Sequence, residues 1–338
     1  MATPPNPPQV VKLPENVNQP ATHGASSTES GWVPTKAKPE YIDLPQGKEL
    51  KDSSALDLAK SRPVQWIVLA GPSGSGKTTL LTSLYELFQW RRVEGYAFAG
   101  SITLPAFEER CYLSRRESGN DEAHTQRTPF ADVNPLYLHL RIRSTEGLRP
   151  FSDFLCTDVS GETFEHARDS TTECKKMSFI RRAHHFLLLL DSGKGVQRDK
   201  RWAMVEDNRA LLRSCVDSDM IAANCEVSVV WSRWDYFVAA EDEKRNQPFR
   251  AEVEQQFRET FDKLIPNLKF CEVAARPLKA PTLGIGYGVS ALLKQWATAP
   301  LEMKALDLFP KSYSGTRESE LFAARHFALT SANEESDR

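Results

Sequence analysis

The sequence predicts a three-layer α/β domain, a mostly parallel six-stranded sheet with one antiparallel strand and helices on both faces. Three observations carry this. From residue 63 onward, short apolar runs alternate with longer stretches of helical apolar spacing, the pattern of strands joined by helices. The first run, Val64 to Ala70, leads straight into Gly71-Pro-Ser-Gly-Ser-Gly-Lys-Thr78 and then into a helical stretch, Thr79 to Phe88. Two later runs, 136–143 and 152–157, are separated only by Ser144 to Phe151. So short a link holds no crossover helix, which makes those strands antiparallel neighbours.

Taken in order, strands are expected at 64–70, 136–143, 152–158, 184–191, 226–232 and 268–274, with helices at 77–90, 162–182, 199–217, 247–264 and 288–298. The segment between the first strand and the first helix fits GxxxxGK[ST], a phosphate-binding loop of P-loop NTPases, in its strand–turn–helix context. Glycines at 71, 74 and 76 let the backbone bend until successive N–H groups point at a phosphate. Gly71, Ser73, Gly74, Ser75, Gly76, Lys77, Thr78 and Thr79 form the expected cradle. Lys77 reaches the terminal phosphates, the Thr78 hydroxyl ligates Mg²⁺, and the helix N-terminus faces the anion. The chain is therefore expected to bind a nucleoside triphosphate with Mg²⁺.

A parallel sheet whose second strand is antiparallel resembles that of Ras-like GTPases, and three further motifs resemble theirs. Asp158-Val-Ser-Gly161 closes the third expected strand and fits DxxG. The resemblance implies that Asp158 holds the Mg²⁺ shell and that the Gly161 amide meets the γ-phosphate. Ser232-Arg-Trp-Asp235 looks like a degraded [NT]KxD box. There Asp235 would accept from the guanine N1–H and exocyclic amine, a pattern adenine does not offer. Arg233, at the Lys position, would stack on the base through its planar guanidinium, while Ser232 in place of Asn weakens one contact. Cys271-Glu-Val-Ala-Ala-Arg276 resembles the ExSAK motif, in which the backbone amide at Ala275 meets the guanine O6, with Arg276 beside it.

Glu162 stands where many such GTPases place the Gln that orients the attacking water. A Glu accepts from that water, but its charge opposes the phosphate oxygens, which implies slow hydrolysis; the plainer reading is a favourable acid at a helix N-terminus. Residues 91–135 form a longer connection than a minimal domain needs. Phe98 to Arg110 is expected to lead into a short helix, followed by a polar loop at 114–124. The connection ends in Gln126-Arg-Thr128, where switch I of the family supplies the Thr that closes on Mg²⁺ and the γ-phosphate. Thr128 takes that role, with Thr125 as the alternative. Arg127 is a candidate arginine finger in cis, or else a solvated loop cation.

With Gly71 to Leu81, the segments Phe98-Ala-Gly-Ser101, Phe107-Glu-Glu-Arg-Cys111 and Arg127-Thr128 make the chain resemble the bacterial double-GTPase group of the TRAFAC class, over roughly 62–298. The resemblance implies a GTP-binding and hydrolysing switch in a multi-component bacterial defence or signalling system, paired with a second GTPase or another protein. Two rivals remain open. An ABC-type ATPase shares the GPSGSGKTTLL run and the apolar strand ending at Asp191, but Ser192 stands where its catalytic Glu belongs and no LSGGQ-like stretch precedes that strand. A GTP-binding scaffold without turnover draws support from Glu162 and from Ser232-Arg233.

The rest of the composition narrows the class. Of 338 residues, 40% are hydrophobic and 26% charged, as in soluble globular proteins. A net charge of −2 provides no electrostatic case for nucleic acid or an anionic membrane as partner. No apolar run exceeds Phe186 to Leu190, far too short to cross a bilayer. The six cysteines lack CxxC spacing and read as thiols of a cytoplasmic protein, with no metal framework. Residues 1–62 hold nine prolines and only Trp32 and Tyr41 as aromatics, so a disordered Pro-rich leader is expected before a domain at 63–299. Residues 300–338 are expected to be a tail with one amphipathic helix, Glu318 to Phe327.

Overall fold

The central strands Val64–Ala70, His185–Asp191 and Glu226–Ser232 are buried along almost their whole length because both faces of the sheet are covered. In the computed structural model the chain runs through α1 (Asp52–Ser61), β1 (Val64–Ala70), α2 (Lys77–Trp90), β2 (Tyr96–Gly100), α3 (Leu104–Tyr112), β3 (Leu136–Ser144) and β4 (Phe151–Asp158). It continues with α4 (Gly161–Arg168), α5 (Thr171–Lys176), a 3-10 turn at Ser178–Arg182, β5 (His185–Asp191), α6 (Ser192–Gly195) and α7 (Arg201–Asp217). Last come β6 (Glu226–Ser232), α8 (Asp235–Ala239), α9 (Glu243–Phe261), β7 (Lys269–Val273) and α10 (Val289–Thr298). The structure describes residues 47–112, 134–144, 151–239, 243–280 and 282–298, all within one unit spanning 45–338.

The seven strands lie in the order β2-β3-β4-β1-β5-β6-β7. Strand β3 is antiparallel to both its neighbours, β2 and β4, so it alone runs against the rest. The β3–β4 pairing, with Leu136 opposite Asp158 and Arg143 opposite Phe151, is the antiparallel pair that the short link demanded. Along β1 the side chains alternate between two cores. Ile67 and Leu69 pack with Leu80 and Leu84 of α2, Phe107 of α3 and Trp296 of α10. Val68 and Ala70 pack with Phe164 of α4, Val205 of α7 and Phe257 of α9. Both sets are buried, which is why Trp66 to Ala70 of β1 and Phe186 to Leu190 of β5 read as continuous apolar runs rather than alternating ones.

The structure differs from the sequence reading in three places. The sheet has seven strands where six were expected; the extra one is β2, at the edge. Its five residues are too short and too exposed to show a period, and its pairing slips between Phe98 and Gly100. The helix expected in this stretch begins only at Leu104. The helix expected over 162–182 is broken into α4, α5 and the 3-10 turn, because the Ser170 hydroxyl accepts from the Glu173 N–H and starts a new helix.

Third, the end of the expected leader is ordered. Leu50 exchanges two backbone hydrogen bonds with Tyr137 (3.0 and 2.9 Å), and α1 packs against the sheet. Ala55 is fully buried among Val64, Trp66, Tyr137 and Leu155. Asp52 accepts from the Tyr137 hydroxyl at 2.8 Å and pairs with Arg182, whose guanidinium lies 5.2 Å from the Trp66 ring centre. A single small buried residue and a carboxylate tied to Tyr137 and Arg182 suffice here because the sheet supplies the apolar surface. Residues 1–46 and the tail from 299 lie outside the described residues. No helix among the described residues is long and apolar enough to cross a membrane.

Candidate nucleotide site

Because β1, β4, β5, β6 and β7 are parallel, the segments that leave their C-terminal ends meet at one edge of the sheet. The phosphate loop leaves β1 with positive φ at Gly71 (146°), Gly74 (77°) and Gly76 (91°). Only glycine takes such angles without strain, and here they turn the chain into the N-terminus of α2. The Lys77 ammonium folds back to donate to the carbonyls of Gly71 (2.8 Å) and Pro72 (3.0 Å). Burial drags its pKa from 10.5 to about 8, against the opposing pull of Asp158 and Glu165. The buried Ser75 hydroxyl has no partner among the described residues. A cationic, partly desolvated cradle of this kind fits a phosphate chain.

Asp158, at the end of β4, is buried, and its Oδ1 lies 3.4 Å from the Thr78 hydroxyl. A hydroxyl and a carboxylate side by side are hard oxygen donors and fit Mg²⁺, which takes one or two carboxylates and completes its shell with phosphate and water. Thr128 and Arg127 lie outside the described residues, as does Thr125.

Gly161 opens α4 directly against the loop. A Cβ placed on it would stand 2.1 Å from the Ser73 nitrogen and 2.5 Å from the Pro72 carbonyl carbon, so only glycine fits. Ser160 caps the helix by accepting from the Glu162 N–H at 3.3 Å, and Glu162 sits in the first turn. One turn on, Glu165 Oε1 accepts from the Ser73 N–H at 3.1 Å, placing a carboxylate on the phosphate cradle. Lys77 lies 5.9 Å from the Phe164 ring centre.

The base motifs sit on the neighbouring strands. A Cβ on Gly76 would meet Ser232 at 3.9 Å, so the end of β6 adjoins the loop. Asp235 is buried, and its Oδ2 accepts from the N–H groups of Leu278 (2.9 Å) and Lys279 (3.0 Å). The Trp234 N–H donates to Val273 O at 3.0 Å. Asp235 thus locks the segment after β7, which carries Ala275 and Arg276, onto the end of β6. The buried Ala275 is fixed in turn through its carbonyl, which accepts from the Gly286 N–H at 2.9 Å.

Besides the Asp235 oxygen taken by Leu278 and Lys279, two further residues expected at the base are engaged elsewhere. Arg233, at φ 54°, donates to both oxygens of Asp191 (3.2 and 3.1 Å) and lies 4.4 Å from the Tyr236 ring centre, rather than standing ready for a purine. The Asp191 carboxylate also accepts from the Gly193 N–H at 2.9 Å, capping α6. Arg276 pairs with Glu86 of α2, so it fastens the last loop to the phosphate-loop helix.

Sequence reasoning also missed two charged residues. Glu165 is one. The other is Arg110 of α3, which donates from Nε (2.9 Å) and Nη2 (2.6 Å) to Asp158 Oδ2 and lies 2.5 Å from Glu49. Burial alone would lower its pKa, but Asp158 and Glu49 more than reverse that, so the guanidinium stays charged. The available signal for Arg110 was its place in Phe107-Glu-Glu-Arg-Cys111, a segment that carried the family resemblance without a role.

Three solved structures are similar to the chain. The signal recognition particle receptor SRb-GTP/SRX complex from Chaetomium thermophilum is 17% identical, with a TM-score of 0.36, covering 70% of this chain and 96% of that one. Roco2 RocCORdC of Methanosarcina barkeri bound to GDP is 13% identical, with a TM-score of 0.30, covering 76% and 51%. The GTPase-like domain of S. cerevisiae Ski7, bound to GDP and inorganic phosphate, is 13% identical, with a TM-score of 0.40, covering 83% and 52%. The match thus spans about half the length of the latter two chains. No curated protein matches the sequence. A family model described as Double-GTPase 2 matches residues 65–297, most of the chain, and the protein belongs to that double-GTPase family.

Proposed function

We propose that this protein binds GTP with Mg²⁺ and hydrolyses it slowly as a molecular switch. The observation that carries this reading is the meeting of Lys77, Thr78, Asp158 and Gly161 at the C-terminal ends of the strands, with Asp235 opening α8 just after β6. Lys77 and the loop N–H groups hold the phosphates, and Thr78 and Asp158 hold the metal. Bound there, Mg²⁺ would neutralise charge on the phosphate oxygens. Gly161 senses the γ-phosphate on this reading, which the closeness of its backbone to Ser73 supports. Glu162 follows it at the position for orienting water, and its negative charge keeps turnover slow. The family membership supports a partner that is itself a GTPase, within a cytoplasmic defence or signalling system of several components.

A scaffold that binds GTP without turnover is the second reading, favoured by Glu165 on the Ser73 N–H. Competition titration of GTP, GDP, ATP and ADP against the full chain tests base choice. Asp235→Ala should reduce the GTP-over-ATP preference roughly 100-fold, the worth of two hydrogen bonds to a carboxylate. Unchanged selectivity would refute the assignment of Asp235. Phosphate release under single-turnover conditions separates switch from scaffold, since a scaffold retains intact GTP.

A further inference from the structure

Arg110 sets a full positive charge against the carboxylate assigned to the metal. Two of its nitrogens donate to Asp158 Oδ2, and Nη1 donates to Ala106 O at 3.0 Å, so its own helix fixes the plane of the guanidinium. The Arg110 side chain is 11% exposed and that of Asp158 2%, so little water screens the pair. The two oxygens of Asp158 are thereby divided: Oδ1 faces the Thr78 hydroxyl, and Oδ2 belongs to Arg110. The carboxylate of Glu49, ahead of α1, lies 2.5 Å from Nη2 of the same guanidinium and offsets part of its charge.

We propose that Arg110 is a positioning residue that weakens Mg²⁺ at this site, holding Asp158 in one rotamer and neutralising it, so that nucleotide binding depends little on the metal. This rests on the nucleotide reading given above. A cation bonded to one oxygen of a carboxylate stands within about 6 Å of an ion on the other, where a buried site leaves the repulsion largely unscreened. If the pair only pinned α3 to β4, its loss would lower thermal stability and leave metal affinity alone.

The test loads the full chain with fluorescent GDP and follows release against free Mg²⁺, alongside calorimetric titration of Mg²⁺ into the GDP complex. Arg110→Gln should move the Mg²⁺ midpoint to concentrations at least about tenfold lower, while Arg110→Lys, which keeps the charge, stays within about threefold of the unmodified protein. Glu49→Gln, which leaves Arg110 less compensated, should move the midpoint about threefold higher. A midpoint unmoved in Arg110→Gln, with a lowered melting temperature, overturns the proposal, as does a higher midpoint. Should Arg110→Gln fail to fold, Glu49→Gln decides: an unmoved or lowered midpoint there overturns it. If the unmodified protein binds fluorescent ADP in place of GDP, the guanine reading fails and the same titration with ADP still tests Arg110. Binding of neither overturns both.

Discussion

The partly buried ammonium of Lys77 should make nucleotide affinity pH-dependent in a range where ordinary lysines are silent. With no ligand its pKa is held at about 8 instead of 10.5, chiefly by burial. A phosphate beside it restores the charged form, so binding takes up a proton wherever the free protein has lost it. Affinity should be flat below about pH 8 and then fall up to tenfold per pH unit, about tenfold in all between pH 7 and pH 9. Stability moves the other way. The folded pKa lies below the unfolded one, so the free protein carries the full cost of charging Lys77 below about pH 8 and is relieved of it as pH rises towards 10.5. That cost is at most about 3 kcal/mol, and less where solvent reaches the loop. GDP affinity measured by calorimetry at several pH values, beside Lys77→Ala, isolates the effect, because guanine's own titration is common to both proteins. A pH slope no steeper than that of Lys77→Ala refutes the reasoning, as does retained affinity in that variant.

Glu165→Ala should tighten GTP about fivefold with a smaller change for GDP, because a half-exposed carboxylate on the Ser73 N–H, worth roughly 1 kcal/mol, no longer competes at the γ-phosphate end. Equal changes for the two nucleotides, or none, would count against that placement. Gly161→Ala drives a methyl group onto backbone atoms of Ser73 and Pro72 that have no flexible end to yield. It should cost roughly 1–3 kcal/mol and lower the melting temperature by about 2–10 °C, read by calorimetry. An unchanged melting temperature would show that α4 is not seated on the loop.

What was legible in the sequence is what lies close together along it. Val64 to Trp90 folds as read because strand, glycine turn and helix are contiguous and each residue type suits its local geometry. The antiparallel β3–β4 pair follows from the length of its link alone. Strand β2 and helix α1 were not legible, because their stability comes from what they pack on: β2 borrows the edge of β3, and α1 the apolar cluster of Val64, Trp66, Tyr137 and Leu155.

The same division runs through the site. Glycine spacing shows where a phosphate belongs, but it does not show that Arg110 reaches Asp158 across 48 residues, or that Glu165 reaches Ser73 across 92. Those two contacts decide the character of the site more than the motif does. One puts a guanidinium on the carboxylate proposed to hold the metal, and the other puts a carboxylate on a loop N–H, so each charge a metal–nucleotide complex would bring already has a counterpart built into the chain. A ligand entering this edge therefore exchanges existing ion contacts for new ones rather than filling an uncompensated cavity. Its net gain is the difference between the two sets. A small difference makes occupancy responsive to modest forces, such as a partner drawing α4 away from Ser73 or the segment at Glu49 shifting against Arg110. On this account the affinity changes in Glu165→Ala and Arg110→Gln should nearly add, because the two contacts share no hydrogen-bond partner and meet only through the charge of Lys77. Strong coupling between them in the double variant would mean that α3 and α4 move as one body.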